Sequence, residues 1–204
     1  MTTQEIKDYY DVTEHSDVRS DLIYASEIIT GPKVAIDCGC GSGSDIEYLS
    51  SHDFKVYGFD IEDESIKRCT ERFNNNNNVI LTKAGFSSYT YPKASLVVAD
   101  ASLFFCNITD FDDVWVSISD CLSPDGIFCG SFLGAEDTMS SPSYDGDAFW
   151  PEILVFKEAE VRGIFKGYEI CRFTEHKKSG MTAQGSKHDW HIYSVVAKKT
   201  DIFL

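Results

Sequence analysis

The run Val34-Ala35-Ile36-Asp37-Cys38-Gly39-Cys40-Gly41-Ser42-Gly43 constrains the fold of this chain more than any other stretch. Its first half is apolar enough to be a buried strand, and it finishes on an acid followed by glycines at alternate positions. Glycine has no Cβ and reaches backbone conformations closed to other residues, so the strand must break into a tight turn there. A ligand can then lie directly on the turn's backbone, and the N–H groups opening the next helix point at the same spot. The sequence predicts a strand, a cradle and a helix, with the Asp37 carboxylate at the cradle's edge.

The rest of the chain repeats that alternation. Residues 1–30 read as an N-terminal cover segment: 1–14 are polar but carry Tyr9 and Tyr10, and 16–29 hold apolar residues at helical spacing, stopped by Gly31-Pro32. After the cradle, Ser44 or Asp45 is placed to cap a helix with Ile46 and Leu49 inward. Phe54 to Asp60 is a second strand, again ending on an acid, and Asp63 opens a helix that dissolves in Asn74 to Asn78, residues whose side chains compete for the backbone. Val79 to Leu81 and Ala94 to Ala99 are short buried strands. Thr109 and Asp112 resemble a capping pair before a helix stopped by Ser123-Pro124-Asp125-Gly126, and Ile127 to Phe132 is a fifth strand. Residues 133–155 lack periodicity yet hold Tyr144, Phe149 and Trp150, which suits a substrate-covering loop. A short helix at Lys157 to Phe165 closes at Gly167. Tyr168 to Phe173 and Trp190 to Lys198 then form an antiparallel pair joined by a polar connection through Lys177-Lys178-Ser179-Gly180. Strands alternating with helices imply an α/β fold with a mostly parallel sheet, in one domain over 1–204.

Composition narrows the partners. A net charge of −15 repels phosphate backbones and anionic membrane surfaces, and no cluster of Lys and Arg offsets it, so neither nucleic acid nor membrane is expected. Seven cysteines, an odd number scattered through apolar runs without a Cys-x-x-Cys pair, read as buried small side chains in a reducing compartment, with no metal. No basic-then-apolar start is present, and no apolar run reaches about 18 residues. The expectation is a cytoplasmic protein, monomer or homodimer, acting on a small molecule.

The glycine spacing selects the ligand. A dinucleotide turn needs Gly-x-Gly-x-x-Gly, and counting from Gly39 the third glycine position is Ser44. Asp37-x-Gly39-x-Gly41-x-Gly43 is instead the pattern of class I methyltransferases, in which the turn takes the amino-acid part of S-adenosylmethionine. Asp60 would then hold the ribose hydroxyls bidentately. The chain is similar, over most of its length, to the tellurite-resistance-type branch of that family. The likeness rests on Glu14-His15-Ser16-Asp17-Val18, Ile36 to Gly41, Ala101 to Cys106, Leu122 to Phe128, Phe132 to Asp137, Phe156 to Val161, Gly180 to Ala183, Lys187 to His191 and Val196 to Lys199. The resemblance implies a Rossmann-like, seven-stranded sheet of order 3-2-1-4-5-7-6 with strand 7 antiparallel and helices on both faces. It also implies S-adenosylmethionine as cofactor, held by Asp37, Cys38, Gly39, Cys40, Gly41, Gly43, Asp60, Ile61, Gly85, Phe86, Asp100 and Ala101. Two departures are visible. Relatives often carry an aspartate after strand 3 for the adenine amino group; here Lys83-Ala84-Gly85-Phe86-Ser87 leaves adenine to backbone groups and to stacking on Phe86. Some carry an arginine before the His-Ser pair, where this chain has Thr13 and Glu14, which leaves contacts to the cofactor carboxylate open.

Methyl transfer from a sulfonium is an in-line displacement governed by alignment, so no catalytic residue is obligatory. If the acceptor must lose a proton, the candidates for base are His15, Asp100, His188 and His191, with Leu103, Trp190, Lys187 and Lys83 near the pocket. Tyr89-x-x-x-Lys93 has the spacing of a short-chain dehydrogenase pair, but Pro92 opposes the helix it would need. Two other functions stay open at this point: a non-catalytic module that binds S-adenosylmethionine, and an NAD-dependent oxidoreductase.

Overall fold

The computed structural model describes residues 3–141, 153–182 and 185–200. Its framework follows from strands that are apolar on both faces. β1 (Val34–Cys38) is buried from Ala35 onward, β2 (Lys55–Asp60) and β3 (Val79–Lys83) extend the sheet on one side of it, and β4 (Ala94–Ala99) is buried at every position. Such runs fit a parallel sheet covered on both sides. Successive side chains of a strand point to opposite faces, and the core divides accordingly. Ile36, Val97, Phe128 and Val195 pack in one cluster with Phe111, Val114 and Ile118 of a helix from Phe111 to Cys121. Ala35, Val98, Cys129 and Val196 pack in the other with Leu22, Ile46 and Leu49.

Named in chain order, the helices are α1 (Thr3–Thr13), α2 (Ser20–Glu27), α3 (Ser44–Ser51), α4 (Asp63–Arg72), α5 (Phe111–Cys121) and α6 (Glu158–Ile164). The remaining strands are β5 (Leu122–Gly134), β6 (Val155–Phe156), β7 (Tyr168–Met181) and β8 (Lys187–Lys199). The sheet order is β3-β2-β1-β4-β5-β8-β7, with β8 antiparallel to both neighbours and β6 paired to the end of β5. The predicted order and the antiparallel last strand are present, but there are eight strands and not seven. The extra one is the two-residue β6, too short to leave a periodic trace in the sequence.

Two other expectations are corrected, and a segment to which the sequence assigned no element is a helix. The polar stretch Lys177 to Gly180 is not a connection: it lies within β7, whose outer half is exposed, so no buried face imposes apolar alternation on it. Residues 3–13 form a helix although mostly polar. Tyr10 is its buried anchor, and Arg68 bonds the carboxylate of Asp11 at 2.6 Å. Ser44 and Asp45 do not cap α3. Gly43 occupies the N-cap at φ +86°, Ser44 Oγ donates to the carbonyl of Thr13, and Asp45 is bonded to Arg19. Of the proposed covering loop 133–155, Tyr144, Phe149 and Trp150 lie outside the described residues. Among the described residues no helix is long and apolar enough to cross a membrane.

Phe128 shows how the core is held. It is fully buried, and its ring lies 5.1 Å from Trp115 of α5 and 5.5 Å from Phe165 after α6, so one side chain joins the sheet to both helices of that face. Truncation removes the apolar transfer energy and leaves a cavity between three elements. Phe128→Ala is expected to lower stability by about 3–5 kcal/mol in urea unfolding, and a loss below about 1 kcal/mol would contradict this packing.

Candidate functional site

The sheet order reverses between β1 and β4, and in open α/β sheets the crevice at the carboxyl ends of such strands is where ligands bind. Both chain exits there are locked together. The N–H groups of Gly39 and Cys40 donate to the carbonyl of Phe59 at 2.8 and 2.9 Å, fastening the glycine turn to β2. Ser102 Oγ donates to the carbonyl of Cys38 at 2.6 Å, fastening the β4 exit to the β1 exit. Gly39 has φ +72°, and a Cβ on it would lie 2.7 Å from the Cβ of Ser102; one on Gly43, at φ +86°, would lie 2.8 Å from the ring of Phe73. Both positions demand glycine for conformation and for space.

The turn's other polar groups are also committed. Gly41 N–H donates to Asp60 Oδ2 at 2.9 Å, Glu62 N–H donates to Asp60 Oδ1 at 2.9 Å, and Ser65 Oγ donates to the carbonyl of Gly41 at 2.6 Å. Asp60 is therefore oriented by one backbone donor per oxygen, each oxygen keeping a further lone pair. Cys38 and Cys40 are buried beneath the turn, where the hydrogen bond to Cys69 and burial push the Cys40 thiol well up.

Asp37, at the end of β1, is 3% exposed, and its Oδ2 has no hydrogen-bond partner. Burial, then the neighbouring Asp45 carboxylate, hold its pKa well above the ordinary carboxylate range. A buried carboxylate oxygen without a donor is costly, and an incoming ammonium group would relieve it. Across the crevice Arg19, at the N-cap of α2, bonds Asp45 Oδ2 at 2.6 Å and pairs with the carboxylate of Asp100. Ala101 follows in the left-handed region at φ +46°, held by its N–H to Ser131 Oγ at 2.8 Å.

On the β2 side, Ile61 is 47% exposed and its Cδ1 faces Gly85, lying 3.6 Å from where a Cβ would stand. Phe86 is half-buried, edge-on to Phe59 at 5.5 Å, within a cluster with Tyr89 and Tyr91. From above, Tyr10 of α1 reaches the turn: it is 6% exposed, and a Cβ on Gly41 would lie 3.8 Å from its ring. Burial and then the Asp60 charge raise the pKa of its hydroxyl. Ile61, Gly85 and Asp60 thus gather at one end of the crevice and Asp37, Asp100 and Ala101 at the other. His15 stands apart, exposed in the turn after α1.

His188 and His191, the other candidate histidines, belong to a network farther along the same sheet edge, where β5 leaves the sheet beside β8. Asp137, 2% exposed, accepts from Met139 N–H at 3.0 Å, from His191 N–H at 2.9 Å, and lies 2.9 Å from His188 Nε2. His191 Nδ1 accepts from Glu136 N–H at 3.0 Å, so its proton is on Nε2, which donates to Glu175 at 2.9 Å. That bond, seconded by Lys177, holds the Glu175 carboxyl below its usual range. Lys177 also bonds Glu136 at 2.6 Å, and Lys83 is paired with Asp63 at 2.6 Å. Lys187 is exposed, and Trp190 packs its ring 4.8 Å from that of His188.

Arg19, Tyr10 and Asp137 escape a reading of the sequence alone. Arg19 is the lone base in an acidic stretch, which is a faint signal; Tyr10 is an aromatic in a polar helix; Asp137 acts through partners about fifty residues away.

Residues 36–130 match the Methyltransferase domain family. No curated protein matches the chain in sequence. Among solved structures, TehB from Haemophilus influenzae superposes with TM-score 0.75 at 18% identity, covering 96% of this chain and 67% of its own. N-methyltransferase NodS from Bradyrhizobium japonicum WM9, in complex with S-adenosylhomocysteine, gives 0.68 at 12% identity over 96% and 97%. The 1,6-didemethyltoxoflavin-N1-methyltransferase of Burkholderia thailandensis, holding its acceptor and S-adenosylhomocysteine, gives 0.60 at 18% over 98% and 87%. Residues 36–130 thus carry a methyltransferase-domain match, set on a fold shared with solved S-adenosylmethionine-dependent methyltransferases and similar to that of TehB.

Proposed function

We propose that the chain methylates a small-molecule acceptor by in-line displacement, and that the crevice between the β1 and β4 exits is where it does so. The observation that carries this reading is the unpartnered Oδ2 of Asp37 beside three glycines with positive φ. S-adenosylmethionine, when bound, supplies a methyl group already activated on a sulfonium. Asp37 takes the ammonium group of the cofactor's amino-acid part, and the backbone of Gly39 to Gly43 lies against it. Asp60 spends its remaining lone pairs on the ribose hydroxyls. Ile61, Gly85 and Phe86 flank the adenine, with no carboxylate required. Asp100 and Ala101 border the reacting end, where Arg19 sets the Asp100 carboxylate. The role left to the protein is alignment of donor and acceptor.

A small acceptor suits the charge and the cover. The chain's net charge of −15 disfavours nucleic acid, and α1 lies across the turn through Tyr10. Three of the basic side chains on this side of the sheet are tied to carboxylates: Arg19 to Asp45 and Asp100, Lys177 to Glu136 and Glu175, Lys83 to Asp63. That favours a neutral acceptor over an oxyanion of the tellurite kind.

Calorimetry is expected to give micromolar-range binding of S-adenosylmethionine and S-adenosylhomocysteine, and no binding of either would overturn the reading. Asp60→Ala should weaken both by about 10- to 100-fold, the worth of hydrogen bonds to a charged group. Asp37→Asn should separate binding from stability. A carboxyl whose pKa is raised on folding contributes stability that is fully present below its unfolded pKa and lost as pH rises through the folded value. At neutral pH the ligand-free Asp37→Asn protein is therefore expected to melt higher than wild type while binding the cofactor about tenfold or more weakly. Thermal melts over roughly pH 4 to 8, with calorimetry alongside, check both halves.

A further inference from the structure

We infer that Asp137 and His188 form the proton-accepting pair of this enzyme, so that its acceptor is a neutral molecule whose attacking atom, in a hydroxyl, thiol or amine, arrives with its proton. The inference rests on the methyltransferase reading above and adds the class of acceptor.

The two histidines at the edge of β8 differ in one decisive respect. Both ring nitrogens of His191 are used by the protein, one accepting from Glu136 N–H and the other donating to Glu175. A Cβ on Gly134 would stand 2.4 Å from its Nδ1, so the ring lies flat against the backbone. His191 is a brace. His188 has only its Nε2 engaged, with Asp137 Oδ1 at 2.9 Å. Asp137 already accepts two backbone N–H groups, from Met139 and His191, and its side chain is 0% exposed. The proton of His188 is therefore on Nε2, facing the carboxylate, and Nδ1 presents a lone pair with no hydrogen bond among the described residues. An imidazole with one nitrogen oriented by a buried carboxylate and the other free is the arrangement of a general base.

Position supports the assignment. Asp137 lies three residues after the end of β5, which leaves the sheet at the same edge as Asp100 and the glycine turn. Met139, two residues on, packs into the cluster that contains Leu103 and Phe104, which follow Asp100 after β4. The ring of His188, 11% exposed at its side chain, is steadied by Trp190. In the step itself a bond forms from the acceptor's attacking atom to the methyl carbon, and the carbon–sulfur bond breaks with its electron pair staying on sulfur. The proton of the attacking atom passes to His188 Nδ1. The imidazolium so formed is paired with the Asp137 carboxylate, which stays ionised.

The test follows methyl transfer to para-substituted benzenethiols and phenols of graded acidity, with S-adenosylhomocysteine calorimetry in parallel. His188→Asn is expected to keep its affinity for S-adenosylhomocysteine within about twofold. It should lose about 10²- to 10⁴-fold in kcat on the least acidic acceptors and little on the most acidic, which reach the enzyme ionised. Added imidazole should restore part of the rate to His188→Ala. Asp137→Asn, which keeps the shape, should show the same dependence on acceptor acidity with a smaller loss, so the result does not hang on one variant. An equal loss across the series, no loss, or transfer by wild type to none of these acceptors while it binds S-adenosylhomocysteine would overturn the pair's role. Transfer only to proton-free anions such as iodide or tellurite would do so too. Failure of wild type to bind S-adenosylhomocysteine would overturn the underlying methyltransferase reading instead.

Discussion

A carboxylate at the end of a strand covered on both faces is the constraint on which the rest of this structure depends. β1 and β4 are buried almost end to end, so their side chains cannot carry charge until the chain leaves the sheet. Asp37 sits at that boundary, buried and with one oxygen unshared, and the surroundings are arranged so that the oxygen stays unshared. The N–H groups of the turn that follows it are spent elsewhere: those of Gly39 and Cys40 on the carbonyl of Phe59, that of Gly41 on Asp60. Arg19, whose charge acts on Asp37, is divided between Asp45 and Asp100. A buried carboxylate oxygen left without a donor costs stability, and the proposed binding of an ammonium group rests on that oxygen.

The parts of the fold that could be read from the sequence are those in which local and tertiary demands coincide. Buried parallel strands are short continuous apolar runs, and Val34 to Cys38, Lys55 to Asp60 and Ala94 to Ala99 fall within a residue or so of where such runs place them. β7 fails the same reading beyond Phe173 because its outer half pairs only with β8 and faces solvent, so hydrogen bonding alone makes it a strand. α1 fails for a related reason. Its helix is held by long-range partners, Arg68 on Asp11 and Tyr10 on the glycine turn. β6 exists only because Leu133 and Gly134 offer it a pairing edge.

The site divides along the same line. Asp37, the glycines and Asp60 lie at the exits of consecutive strands, so their roles follow from their order in the chain. Ser44 and Asp45 looked like a helix cap because capping residues are common there, yet tertiary partners take both side chains: Thr13 binds Ser44 and Arg19 binds Asp45, leaving Gly43 to start α3. Arg19 and Asp137 were not legible, since each acquires meaning from residues brought to it by sheet order. His188 and His191 stand three positions apart, and no property of the sequence tells the braced ring from the free one. Only Gly134 and Glu136 on the neighbouring strand exit make that distinction.

On the proposed reading, donor and acceptor are specified by different parts of the polypeptide. The donor end is built from backbone and from carboxylates fixed by backbone, which tolerates little change because glycine conformations and strand exits are at stake. The acceptor end is built from side chains of the β5 exit and β8, bonded to one another across the hairpin. In that second group Lys177 is shared between Glu136 and Glu175, and Asp137 is held by backbone donors, so the local balance of charge is acidic. A pair of this kind attracts no anion, and its free nitrogen is an acceptor of protons. The chemistry it suits is removal of a proton as the methyl group arrives, which joins the two ends of the site in a single step.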